Sequence, residues 1–157
     1  MVENDLLYKL AYDEAVRALS EQQAMVDSFR NRAGLLFSAG AVTVSLLAPR
    51  ALRGGGWNPP IWLAMLCFIG VAAGTLGIFW PRKWESVVNA QEVIDTYIEA
   101  VEAPDVGEVH RELSIHMHAS YCTNDEGLRQ FALLLQVASG LLTFEVVLWM
   151  LAIVFEF

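Results

Sequence analysis

An all-α membrane protein with three transmembrane helices and a helical cytoplasmic part is the fold class this sequence predicts. Three observations carry that expectation. Apolar residues make up 55% of the 157 and charged residues 18%. Soluble domains usually hold about 45–50% and about 25%. The mean hydropathy is +0.42, although the net charge is -8. The two properties are also segregated, because charges, Glu145 excepted, vanish from three long segments and crowd into the stretches between them. A disordered chain has the opposite balance of charge and hydrophobicity. An acidic pI of about 4.7 lacks the basic patch that a nucleic-acid partner requires. The length fits one membrane domain, residues 1–157.

Residues 1–32 read as a cytoplasmic helix. They are charged throughout, and the first apolar run begins too late for a signal peptide. Tyr8, Tyr12, Ala15, Leu19, Val26, Phe29 and Ala33 recur at spacings of three, four and seven, with Gln22 in the missing place. Such a repeat is the seam of one helix packed on another, as in a coiled coil. Neither Gly nor Pro interrupts it before Gly34, so the helix is expected to run on into the first span.

That span is 33–48, AGLLFSAGAVTVSLLA. About sixteen residues at ~1.5 Å each give ~24 Å, a little less than the ~30 Å hydrocarbon core. Arg30 and Arg32 stand just before it, where their long stems reach the headgroups, and Pro49, Arg50 and Arg53 close it. Gly34, Ser38, Ala41 and Ser45 give it a small-residue face. A buried helix of a soluble hairpin is the competing reading. The loop 49–60, PRALRGGGWNPP, then leads to the second span, 61–80, IWLAMLCFIGVAAGTLGIFW, which has no charge. Proline is tolerated at a helix start, where its missing N–H would be unpaired anyway. Pro60 precedes this span and Pro81 follows it. Trp57, Trp62, Trp80 and Trp84 gather at its ends as an aromatic belt, with Arg82 and Lys83 as headgroup anchors. Gly70, Gly74 and Gly77 sit at a spacing that lets helices approach closely, within a subunit or between subunits.

Residues 81–130 read as cytoplasmic helices. The stretch 85–102 places Val87, Ile94, Tyr97, Ile98 and Val101 largely on one face. Pro104 breaks it, since the residue before a proline is pushed out of the helical region. Asp105 is placed to cap a new helix, with Glu108 three residues on. That helix passes Val109, Leu113 and His116 and is expected to pause near Thr123, Asn124 and Asp125. The third span is 131–155, FALLLQVASGLLTFEVVLWMLAIVF.

Lys and Arg set the orientation. With three spans, Lys9, Arg17, Arg30, Arg32, Arg82, Lys83, Arg111 and Arg129 fall on one side, and Arg50 and Arg53 on the other. The positive-inside rule puts the N-terminus and 81–130 in the cytoplasm, and the 49–60 loop and Phe157 outside.

Glu145 is the most informative residue. It is the one ionisable group of the third span, and no Lys or Arg lies inside any span to pair with it. A bare carboxylate there is costly. It is therefore protonated and bonded to Thr43, Ser45, Thr75 or a backbone carbonyl, or it faces a water-filled space, where several copies would form an acidic ring. Gln136 and Thr143 lie on roughly the opposite face. His118, Cys122 and Glu126 share a helical face, but His110 and His116 do not join it, and zinc needs three or four converging ligands. Scattered polar residues are the simpler reading, and no metal or other cofactor is expected. Cys67 and Cys122 fall in different compartments, so no disulfide is expected. No phosphate-binding loop, nucleophile elbow or zinc-protease motif is present, which points away from an enzyme.

The segment EQQAMVDSFRNRAGLLFSAGAVTVSLLAP, through Asp27, Arg32, Ala33, Gly34, Leu35 and Leu36, resembles the transmembrane effector modules of bacterial nucleotide-signalling defence systems. These are the SLATT and Pycsar-type effector families. The resemblance covers about thirty residues; the third span lies outside it. It implies a bacterial inner-membrane protein, with a cytoplasmic sensor coupled to oligomers that breach or depolarise the membrane. The expected partners are the lipid bilayer and further copies of the chain. The residues leave open whether a cytoplasmic protein or a small-molecule signal acts on it. The function they point to is an oligomeric pore or channel gated through its cytoplasmic helices. The alternative is a structural or adaptor membrane protein whose cytoplasmic helices dock a partner.

Overall fold

The structure is a computed structural model and describes residues 2–52, 59–81, 94–98 and 105–154. Among these no strand occurs. The elements are α1 (Val2–Ala51), α2 (Pro59–Phe79), a π-helical turn (Ile94–Ile98) and α3 (Val106–Val154). All three α-helices are long and apolar enough to cross a membrane. The chain divides into two compact units, Met1–Met25 with Arg82–Leu128, and Val26–Pro81 with Arg129–Phe157. Both α1 and α3 contribute to each unit.

Unit 1 pairs the first half of α1 with the first half of α3. Tyr12 lies against His110, ring centroids 5.4 Å apart. The Gln22 side-chain amide donates to the Tyr121 carbonyl at 3.1 Å. Contact numbers that rise together on the two segments mean that they run parallel. Gln22, Met117, Ser120, Asn124 and Leu128 are the buried side chains, and Tyr12, Ala15, Leu19, His110 and Leu113 are half-buried. On α3 the positions 110, 117 and 124 recur every seven residues, the period of coiled-coil packing. The backbone N–H groups of Glu108 and Val109 donate to the Asp105 carbonyl at 3.0 and 3.1 Å, which places Asp105 at the cap of α3. Tyr97 Oη donates to Glu112 at 2.8 Å. The rest of the 85–102 face, including Val87, the Ile98 side chain and Val101, lies outside the described residues.

Unit 2 is a three-helix core of α1, α2 and α3. Glycines set the approach of α2 to α3. A Cβ on Gly70 would stand 2.7 Å from Leu141 Cδ1, one on Gly74 3.5 Å from Ala138 Cβ, and one on Gly77 3.3 Å from Leu134 Cδ1. The partner numbers fall as the glycine numbers rise, so α2 and α3 are antiparallel. On α1, Gly40 meets Phe68 and Leu142, and Phe29 meets Phe131 edge-on at 6.5 Å. Within this unit α1 therefore runs parallel to α3. Ala51, Ile61, Ala64, Cys67, Leu148, Trp149 and Ala152 close one end of the core. The outer faces carry Leu35, Leu46, Leu66, Ile69, Leu76, Leu133, Val147 and Val154, all exposed. So wide an apolar surface is compatible with a membrane protein.

Two sequence expectations give way. The pause at Thr123–Asp125 does not occur, because α3 is unbroken from Val106 to Val154. Thr123 Oγ1 donates to the Ala119 carbonyl at 3.1 Å, and Asn124 is buried in the seam, so packing overrides a weak helix propensity. Pro49 does not close the first apolar helix. It lies inside the last turn of α1, which ends at Ala51, so it costs that turn one backbone hydrogen bond without ending the helix ahead of it. Similarly, Pro59 and Pro60 stand inside the first turn of α2, where their missing N–H groups would have no partner.

Candidate functional site

Glu145 falls on a seven-residue series of α3, Phe131, Ala138, Glu145 and Ala152, every member of which is buried. The period that hides Phe131 and Ala138 thus carries a carboxyl into the middle of the unit 2 core. Glu145 is 0% exposed. Its Oε1 accepts a hydrogen bond from the Trp149 indole N–H, one turn on, at 3.4 Å. Its Oε2 is buried and has no hydrogen-bond partner among the described residues. The antiparallel register that sets Gly70 against Leu141 and Gly74 against Ala138 brings Glu145 level with Cys67 on α2, which is buried as well. Trp149 is also 0% exposed and is the largest side chain fully enclosed in the core.

The hydroxyls that might have bonded this carboxyl are turned to their own helices. Thr43 donates to the Ala39 carbonyl at 2.9 Å, Ser45 to Ala41 at 2.7 Å and Thr75 to Ala72 at 2.9 Å. A hydroxyl has one proton to donate. None of the three can then donate to Glu145 while these bonds stand. Gln136 and Thr143 are exposed on the far side of α3, and Thr143 donates to the Ser139 carbonyl at 3.0 Å. The carboxyl thus sits in an apolar shell with one long hydrogen bond. Chemically, such a group can take up or release a proton. It has no second carboxylate beside it among the described residues, and the Cys67 thiol stands level with it on α2.

The other sequence candidates spread along the molecule. Gly70, Gly74 and Gly77 face α3 of the same chain. The small face of α1 is less enclosed. Gly34 meets Phe79 at 3.9 Å and Ala41 is half-buried, but Ser38 and Ser45 are exposed. The buried α1 positions of unit 2 are Val26, Ala33, Gly40 and Ala51. Trp62 and Trp80 are exposed near the ends of α2. Arg30 approaches Asp27 at 4.0 Å, and Arg32 is exposed. Trp57, Arg82, Lys83 and Trp84 lie outside the described residues. Cys122 Sγ and His118 Nε2 are 3.7 Å apart on an exposed face, and His116 is exposed elsewhere. No group of three His, Cys, Asp or Glu side chains converges among the described residues.

Three participants escape a reading by motif. Trp149 reads as one more apolar residue of the span, yet its spacing of four from Glu145 is a usable signal, because that spacing stacks two side chains on one helix face. Cys67 reads as a small buried residue; its place beside Glu145 depends on how α2 and α3 register. Gly40 has no motif, only its place seven residues after Ala33. No protein-family model matches the chain, and no curated protein or solved structure matches it significantly.

Proposed function

We propose that this chain is an integral membrane protein with three spans, its N-terminus in the cytoplasm and its C-terminus outside, that assembles into homo-oligomers and forms a gated, channel-like path. The observation that carries this reading is Glu145, a carboxyl fully enclosed at mid-span with one oxygen unpartnered. Ionisable groups at such depth are expensive and mark ion or proton pathways by default. Its enclosure by three helices of one chain describes a shut state, so conduction requires the core to rearrange. The resemblance of residues 21–49 to bacterial membrane effectors supports the same reading, with unit 1 as the cytoplasmic part that assembles and gates.

Purified protein in liposomes tests it by dye-reported ion flux. The wild-type chain is expected to pass ions under at least one condition of pH or membrane potential, and Glu145→Ala to change that flux severalfold. Tight vesicles under every condition, with the protein folded and inserted, would overturn it.

One observation favours an adaptor instead. Leu6, Leu7 and Leu10 on α1 and Ile115 on α3 are exposed in unit 1, among charged residues. An adaptor would lose its partner on Leu6→Ser with Leu10→Ser in a crosslinking assay, while Glu145→Ala left that capture intact.

A further inference from the structure

We propose that Glu145 is a proton-binding site that latches the three-helix core of unit 2, and that release of its proton to water forces the core open around Cys67. The inference rests on reading unit 2 as membrane-embedded and is independent of whether ions pass.

The occupant follows from what the core offers. A metal cation such as calcium takes about six to eight oxygen ligands. Here Glu145 is the one carboxyl that the three helices bring into the core, and no group of three His, Cys, Asp or Glu side chains converges among the described residues. A proton needs a single oxygen, and Oε2 is free to hold it. As the neutral acid, Glu145 leaves a polar group under-bonded, which a core tolerates at modest cost. As the anion, it would be a bare charge holding one hydrogen bond at 3.4 Å.

Nothing titratable or charged nearby would compensate that charge. Cys67 is the one titratable group that α2 presents, and a thiol offers no positive charge. On α1 no charged or titratable residue lies between Arg32 and Arg50, and on α3 none other than Glu145 lies between Arg129 and Glu156. The remaining response is mechanical. Gly70, Gly74 and Gly77 hold α2 against α3 so closely that the interface has little room to admit water gradually. Close-packed interfaces change between discrete arrangements. Ionisation would therefore turn or separate α3, exposing its neighbours, and Cys67 is the built-in reporter.

The test uses the full chain with Cys122→Ser in liposomes, leaving Cys67 as the sole thiol. Its labelling rate with N-ethylmaleimide, a membrane-permeant reagent, is measured from about pH 5 to about pH 9 and divided by the rate in the same chain carrying Glu145→Gln. The quotient removes the thiol's own pH dependence. It is expected to stay near one at the acid end and to rise about tenfold at the alkaline end. A quotient of one throughout overturns the latch. Infrared spectroscopy of the wild-type chain at neutral pH needs no variant to fold. A carboxylic-acid carbonyl band is expected, and its absence overturns the proton site. A chain that shows the band and the rising quotient but passes no ions would sink the pore reading alone.

Discussion

Unit 1 and unit 2 use the same seven-residue spacing with opposite chemistry. In unit 1 the seam is polar: Gln22, Ser120 and Asn124 are buried and His110 is half-buried, while Met117 and Leu128 supply the apolar part. In unit 2 the series is Ala33 and Gly40 on α1 and Phe131, Ala138, Glu145 and Ala152 on α3, apolar but for Glu145, and the outward faces are as apolar as the core. In water, burial is selected by hydrophobicity, because apolar area leaves solvent at about 25 cal/mol per Å². In hydrocarbon that force is absent between helices, and close packing by small residues selects the inner face. The comparison teaches that register rather than polarity marks the inner face of unit 1, and that, with unit 2 read as membrane-embedded, small size rather than hydrophobicity marks its own.

The contrast can be broken at graded strength. The largest effect belongs to Trp149→Ala, which empties the most voluminous enclosed position of unit 2 and removes the hydrogen bond that the Trp149 indole donates to Glu145. Large-to-small changes of this kind cost about 3–5 kcal/mol. With unit 2 read as membrane-embedded, the lower end is expected, since lipid rather than water is then the alternative surroundings. Equilibrium unfolding in mixed micelles measures it. Next comes Gly74→Leu, whose branch must displace Ala138 and the Leu134 carbonyl. The same assay should read a loss of about 1–3 kcal/mol from overpacking.

Unit 1 should answer more mildly. Gln22→Met removes a hydrogen bond to Tyr121 but also removes Oε1, which is buried without a partner. Its thermal unfolding is expected within about 1 kcal/mol of the wild type, because deleting an under-bonded polar group offsets the lost bond. A loss as large as that of Trp149→Ala would mean that the polar seam is as tightly packed as the apolar one. The smallest effect is that of Arg17→Ala. Arg17 pairs with Glu14 at 2.6 Å and Glu21 at 3.7 Å, but all three side chains are well exposed. Such pairs contribute at most about 1 kcal/mol, and a shift below about 0.5 kcal/mol is expected.

The parts legible in the sequence were those governed by local periodicity. The expected seam, with Gln22 completing it, matches the burial of Gln22, Val26 and Ala33 and the half-burial of Tyr12, Ala15, Leu19 and Phe29 along one unbroken helix, whereas Tyr8 at its start is exposed. The glycines of α2 were legible as a packing face, though not whether the face served one chain or two. Composition also marked Glu145, because an ionisable residue stands out in a charge-free run. Its enclosure was not legible, since it depends on the rotation of α3 that Phe131 and Ala138 set from seven and fourteen residues away. The polar half of the α3 seam escaped for a related reason. A search for apolar repeats passes over Ser120 and Asn124, which are buried by register rather than by hydrophobicity.

The account stands on unit 2 facing hydrocarbon where unit 1 faces water, and single-cysteine accessibility measures that most directly. In a chain with Cys67→Ala and Cys122→Ser, cysteines are placed singly at the exposed positions Val42, Ile69 and Val147 of unit 2 and Leu10 and Ile115 of unit 1. They are then offered a membrane-impermeant thiol reagent in sealed right-side-out and inside-out vesicles. Positions 10 and 115 should label only in the inside-out vesicles, and positions 42, 69 and 147 in neither. Labelling of 42, 69 and 147 at the rate of 10 and 115 would contradict the account.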